Sequence, residues 1–162
     1  MPQSLWPEPV KRVSAVLRAA AVDATVQEFP DGTPTAEAAA AAAGVPVDRI
    51  VKSLVFVCDG AYVLALVPGD RRLDEAAAAA AVPADHVRTA RAEEVVHATG
   101  FEPGGVAPFP QRAVTLALID TSLLRHDVVW IGAGTPRHVA GLAPADLQKL
   151  ARARGVDGLG GG

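Results

Sequence analysis

Three groups of residues in this 162-residue chain have types and spacings suited to holding an oxygen-bearing reactive centre. The first is Lys52, which interrupts the apolar run Ile50-Val51-Lys52-Ser53-Leu54-Val55-Phe56-Val57. Such a run reads as a central strand covered on both faces, where a charge is costly. A lysine placed there either carries its ammonium to water along its stem or lines a polar cleft. The second group is the loop from Thr99 to Pro110, in which Gly104 and Gly105 give backbone freedom and Pro103, Pro108 and Pro110 rigidity. A loop of this kind can present fixed N–H donors to an anionic or carbonyl oxygen. The third is Gly132-Ala133-Gly134-Thr135-Pro136-Arg137-His138, a glycine turn ending on a side chain that serves as acid, base or donor near neutral pH. Taken singly, each has a plain structural alternative: a snorkelling lysine, a proline-rich crossover, a hydrogen-bonded histidine.

Other chemistries lack an anchor. His86, His97 and His126 have no partner at metal-ligand spacing, and no His-x-Glu with Cys-x-x-Cys occurs, so no metal site is expected. Phosphate-binding, dinucleotide-binding and esterase-elbow glycine motifs are also missing. Cys58, the single cysteine, sits at a hairpin turn with no sign of activation and reads as structural. Asp120 reads as the cap of the turn at Thr121 and Ser122.

The elements that must position these groups follow from periodicity and punctuation. Val10 to Val22 spaces its apolar residues as an amphipathic helix. Thr25 to Phe29 reads as a short strand, and Thr35 is placed to cap a helix to Ala43 that Gly44 and Pro46 end. Ile50 to Val57 and Ala61 to Val67, joined by Asp59-Gly60, form a hairpin. Helices are expected over Leu73 to Ala81, Arg91 to Thr99 and Ala145 to Arg154, with strands at Thr115 to Ile119, Val128 to Ile131 and Arg137 to Leu142. Residues 100 to 112 read as an ordered loop. Glu37 and Glu75 are each followed by six alanines, which reads as coincidence in an alanine-biased chain rather than duplication.

Length fits one domain, expected over residues 1–154, with residues 155–162 a glycine-rich tail of the kind left disordered. Half the residues are hydrophobic, but many are alanine and only 4% are aromatic, so the large apolar side chains concentrate in the strands. A net charge of −3 excludes the broad positive field of a non-specific nucleic-acid binder, so any RNA contact must be local. Met1 to Pro9 lacks the basic start and apolar core of a signal peptide, and no segment reaches the ~20 apolar residues of a membrane span. One cysteine fits a reducing compartment. A cytoplasmic protein without membrane or DNA partners is the expectation.

Together the motifs resemble the YbaK/ProX family, stand-alone relatives of the editing insertion of bacterial prolyl-tRNA synthetase. The order Thr35-Ala36-Glu37, Gly44-Val45-Pro46, Ile50 to Phe56, Gly100 to Pro108, Gly134 to His138 and Leu142 to Leu147 carries the likeness over about residues 25 to 150. The resemblance implies an α+β fold whose mixed, largely antiparallel sheet curls into a barrel with helices outside. It implies hydrolysis of the ester joining a wrong amino acid to a tRNA 3′ end, without metal or organic cofactor. Carried over residue by residue, Lys52 is the essential cation, positioning rather than attacking. Phe29, Thr35, Gly104, Gly105, Val106, Pro108, Gly134, Thr135 and His138 are implied on the substrate side. The Gly105 and Val106 amides would face the acyl carbonyl, and His138 would narrow an acyl pocket fitted to alanine ahead of cysteine. The implied partner is the aminoacyl-tRNA acceptor end, that of tRNA(Pro), with prolyl-tRNA synthetase or an elongation factor in support. Ala107 and Pro110 depart from the family's common serine and glycine, which leaves open a catalytically silent binding module.

Overall fold

The computed structural model describes residues 5–161; Pro2 of the N-terminal stretch and Gly162 of the expected tail lie outside them. Helix α1 (Glu8–Ala19) starts on the two prolines Pro7 and Pro9 and buries Val10, Val13 and Leu17. It stops short of the expected Val22 because Ala21 turns to a φ of 55°. Strand β1 (Thr25–Glu28) leads to α2 (Ala36–Ala43), where the Thr35 hydroxyl accepts from the Ala38 amide at 3.0 Å and Gly44 closes the helix with a φ of 71°.

Strands β2 (Val51–Cys58) and β3 (Ala61–Pro68) form the expected hairpin in full register from Val51↔Pro68 to Cys58↔Ala61. Asp59 and Gly60 both take positive φ, as a two-residue turn of this twist requires. Then follow β4 (Arg72–Leu73), α3 (Glu75–Ala81), β5 (Val87–Thr89), α4 (Ala92–Thr99) and β6 (Leu116–Asp120). The chain closes with β7 (Val129–Gly132), β8 (His138–Leu142), α5 (Pro144–Ala151), β9 (Ala153–Val156) and β10 (Gly160–Gly161). Residues 100 to 112 hold no regular element, as expected.

The mixed, largely antiparallel α+β character holds, but no sheet closes into a barrel among the described residues. The strands form a five-stranded sheet in the order β5-β2-β3-β6-β9, a three-stranded sheet β1-β8-β7 and the pair β10-β4. Among the strand pairs of the described residues, β3–β6 and β6–β9 are parallel and the rest antiparallel. Closure fails along one edge: among the described residues the outer edge of β2 pairs with β5 only over Phe56–Cys58, and the chain just before β2 meets β7 only through an isolated bridge between Ile50 and Trp130. Between those two points the Val55 carbonyl still accepts from the Ala90 amide at 3.1 Å, and no strand pairs with the edge over residues 51–54 among the described residues.

The expected disorder beyond residue 154 is also corrected. Helix α5 ends at Ala151 because Arg152 turns left-handed with a φ of 52°, and residues 153–156 then join β6 as a parallel strand. Leu159 is fully buried with Phe56, Val67, Ala78 and Leu118. The Gly160 amide donates to the buried Asp120 carboxylate at 2.6 Å, and Asp120 also accepts from Ser122, the turn cap expected of it. The larger apolar cluster lies on the other face of the β2–β3 ribbon, gathering Val51, Val55, Leu64 and Leu66 with Phe101, Phe109, Ile131 and Leu142.

Candidate active site

The gap left by the open β2 edge is a cleft of about 380 Å³. Residues Ile50 to Leu54 form one wall, the 33–36 turn and α2 a second, and the remainder includes Gly104, Val106, Trp130, Thr135 and His138. Lys52 is half-buried at the start of β2, opposite Val67. Among the described residues it has no carboxylate within ion-pair distance, and it is the one charged side chain in the lining apart from what protonation gives His138. A lysine held without a counter-ion in a partly dry cleft attracts an anionic oxygen more strongly than one in bulk water.

Two loops face it. The glycine–proline loop is pressed against the glycine turn: a Cβ added to Gly105 would stand 2.8 Å from the Thr135 Cα and 2.9 Å from the Gly134 carbonyl. Gly134, at a φ of 111°, is packed in turn on the start of α1, where a Cβ would lie 2.7 Å from the Pro9 carbonyl carbon. The N-terminal helix thus backs the site without lining it. The 29–35 segment is tied to the same turn, the Phe29 amide donating to the Arg137 carbonyl at 2.7 Å and the Thr33 amide to that of Pro136 at 2.8 Å.

His138 is 3% exposed. Its Nδ1 lies 2.6 Å from the Thr135 hydroxyl, which accepts from the Arg137 amide at 3.1 Å. Its Nε2 is 3.1 Å from Glu28 Oε2, but off the angle of a hydrogen bond, so it stands among the buried polar atoms without a partner. Ser53 Oγ is another such atom in the cleft lining. Buried polar groups are nearly always satisfied, so the Ser53 hydroxyl in this lining marks a place where a ligand can supply a bond, whereas His138 Nε2 faces Glu28.

Of the ten residues the motifs singled out, Lys52, Thr35, Gly104, Val106, Thr135 and His138 line the cleft together. Phe29, Gly105, Pro108 and Gly134 do not; Phe29, Gly105 and Gly134 instead hold the loops in place. One expected donor is lost, because the Gly105 amide already donates to the Glu102 carbonyl at 2.9 Å. The Val106 amide keeps no internal partner among the described residues. The two departures lie outside the lining: Ala107 is fully buried in the larger apolar cluster, and Pro110 follows Phe109 at the loop's end.

Sequence reasoning missed Ser53, Ile50, Trp130 and the α2 alanines Ala36, Ala39 and Ala43. Trp130 lies flat on Gly141, its cross-strand partner, with indole atoms 3.1 Å from where a Cβ would sit. Cys58 is buried, and burial pushes its thiol above the ordinary range, with Asp59 adding to the shift; a nucleophilic role has no support. Among the described residues no group of three or more histidine, cysteine or acidic side chains gathers at metal-binding range. No helix there is long and apolar enough to cross a membrane.

The description "Aminoacyl-tRNA editing domain" belongs to a family whose model matches residues 30–150 of this chain, which include the cleft. The chain is 39% identical over 109 residues to proline–tRNA ligase of Nitratidesulfovibrio vulgaris, a match spanning 67% of the chain but 19% of the ligase. It is 32% identical over 126 residues to the uncharacterized protein YwhH of Bacillus subtilis, covering 77% of this chain and 80% of YwhH. A solved structure described as a candidate trans-editing enzyme for prolyl tRNA synthetase superposes with a TM-score of 0.88 at 38% identity, over 97% of this chain and 99% of the other. Cleft, motifs and whole-chain likeness therefore agree, and this chain belongs to the aminoacyl-tRNA editing domain family.

Proposed function

We propose that the protein hydrolyses, in trans, the ester joining a small, wrongly attached amino acid to the 3′ end of tRNA(Pro), with alanine preferred to cysteine. The observation that carries this reading is the unopposed Lys52 cation in a small cleft whose far wall holds a partnerless amide and a buried histidine. An aminoacyl ester is already activated, so the site has only to hold the acceptor end, place water and stabilise the developing oxyanion. Lys52 holds the terminal phosphate or ester oxygen. The Val106 amide donates to the acyl carbonyl. The free hydroxyl of the terminal ribose helps a water attack; the acyl C–O bond breaks, and amino acid and tRNA with its hydroxyl restored leave.

The acyl group sits against His138, where size exclusion works. A difference the size of one methylene is worth only ~1–3 kcal/mol in such a pocket, and cysteine exceeds alanine by a single sulfur atom, so discrimination between the two is shallow. The reaction needs no metal or organic cofactor. Acidic overall, the chain grips the acceptor end alone and works in the cytoplasm beside prolyl-tRNA synthetase or an elongation factor. Ala107 and Pro110, the departures behind a silent binding module, both lie outside the cleft lining, which favours turnover over binding alone.

The test is deacylation of tRNA(Pro) charged in turn with alanine, cysteine and proline. Alanyl-tRNA is expected to be cleared fastest and prolyl-tRNA spared. Binding of all three without hydrolysis would establish the silent module instead.

A further inference from the structure

Glu28 stands outside the cleft lining, yet it is the residue paired with His138 across β1 and β8. Its carboxylate comes within 3.1 Å of His138 Nε2, while the opposite ring nitrogen is held at 2.6 Å by Thr135. The Thr135 oxygen already accepts from the Arg137 amide, so its single proton is free to go to Nδ1. A neutral ring that accepts at Nδ1 carries its hydrogen on Nε2, facing Glu28. The other tautomer would turn a bare nitrogen lone pair towards a carboxylate at the same distance. Glu28 is about one-third exposed, so a small side-chain rotation aligns the bond that the present angle misses.

We propose that Glu28 is a positioning residue: with Thr135 it fixes the tautomer and ring orientation of His138, and so sets the width of the pocket. The consequence for acyl selection rests on the reading of this cleft as an acyl pocket; the tautomer itself does not. Carboxylate and hydroxyl hold the two ends of one ring, so the wall facing the substrate is stiff. A stiff wall is what a site separating acyl groups that differ by one heavy atom needs, because a ring free to rotate would yield to the larger group.

Long-range proton–nitrogen NMR of the imidazoles, at a pH well above the ordinary histidine range, reads the tautomer directly. The wild-type protein is expected to show a protonated Nε2 and an accepting Nδ1 at His138. Glu28→Ala is expected to move both signals towards an averaged mixture, and Glu28→Gln, which keeps an acceptor in place, to return them towards wild type. An unchanged His138 pattern in Glu28→Ala, or a Glu28→Gln pattern no closer to wild type than that of Glu28→Ala, would overturn the proposal. The same variants are assayed on alanyl- and cysteinyl-tRNA(Pro), where Glu28→Ala should lower the selectivity ratio by roughly 3–10-fold with kcat on the better substrate retained. A shifted tautomer with unchanged selectivity upholds the positioning role and removes the acyl-pocket reading.

Discussion

Helices α2 and α3 each carry a glutamate followed by six alanines, and each is opened by a side-chain cap, Thr35 in one and Asp74 in the other. Their surroundings differ. Helix α2 lies along the cleft, with Ala36, Ala39 and Ala43 in the lining and Ala39 and Ala40 packed near Ile50 and Trp130. Helix α3 buries Ala78 completely in the smaller apolar cluster with Leu118 and Leu159. Alanine favours the helix in both because it loses no side-chain entropy. What it leaves behind differs: beside α2 its small side chains leave room for a ligand, and beside α3 they let a helix sit close on a sheet.

The largest effect is expected where α3 meets the tail. Leu159→Ala should cost about 2–5 kcal/mol, read as a lowered denaturation midpoint, because the side chain is fully enclosed. A loss under ~0.5 kcal/mol would return the tail to the disordered class. Next comes a matched pair of insertions. Ala78→Leu overpacks the core and should lose ~1–3 kcal/mol while leaving deacylation per folded molecule unchanged. Ala43→Leu, at a half-buried lining position outside the packed cluster, should do the reverse, filling the cleft and slowing deacylation on the order of 10-fold with stability nearly intact. Equal responses in the two assays would erase the contrast between the helices.

The smallest effects concern the caps. Thr35→Ala and Asp74→Ala each remove an acceptor for an amide three residues on and should each cost ~1 kcal/mol. Only the first should also raise KM, because Thr35 lines the cleft.

Much of this arrangement was legible in the chain because its signals are local. Asp59-Gly60 marked the hairpin, Thr35 and Gly44 bracketed α2, and Lys52 taken together with the two glycine loops pointed to one site, though the lysine alone could equally have been a snorkelling side chain. What escaped reading is long-range or carried by backbone. Strands β9 and β10 hold glycines that pair through main-chain groups, with Leu159 the single apolar anchor between them. Trp130 and Ile50 look like ordinary strand residues until the open edge of β2 turns them towards a cavity. The approach of Glu28 to His138 depends on the register of β1 against β8, which no local pattern encodes. The barrel failed for a similar reason, since the pairing of β2 with β5 and its single bridge to β7 join residues far apart in the chain.

The account stands most directly on Lys52, and the sharpest measurement is the single-turnover deacylation rate of alanyl-tRNA(Pro) by wild-type protein and by Lys52→Ala. A cation that holds substrate oxygen in the transition state is worth several kcal/mol, so the variant should be slower by a factor of about 100 or more with its thermal midpoint unchanged. A Lys52→Ala protein that deacylates at the wild-type rate would contradict the placement of the reaction in this cleft.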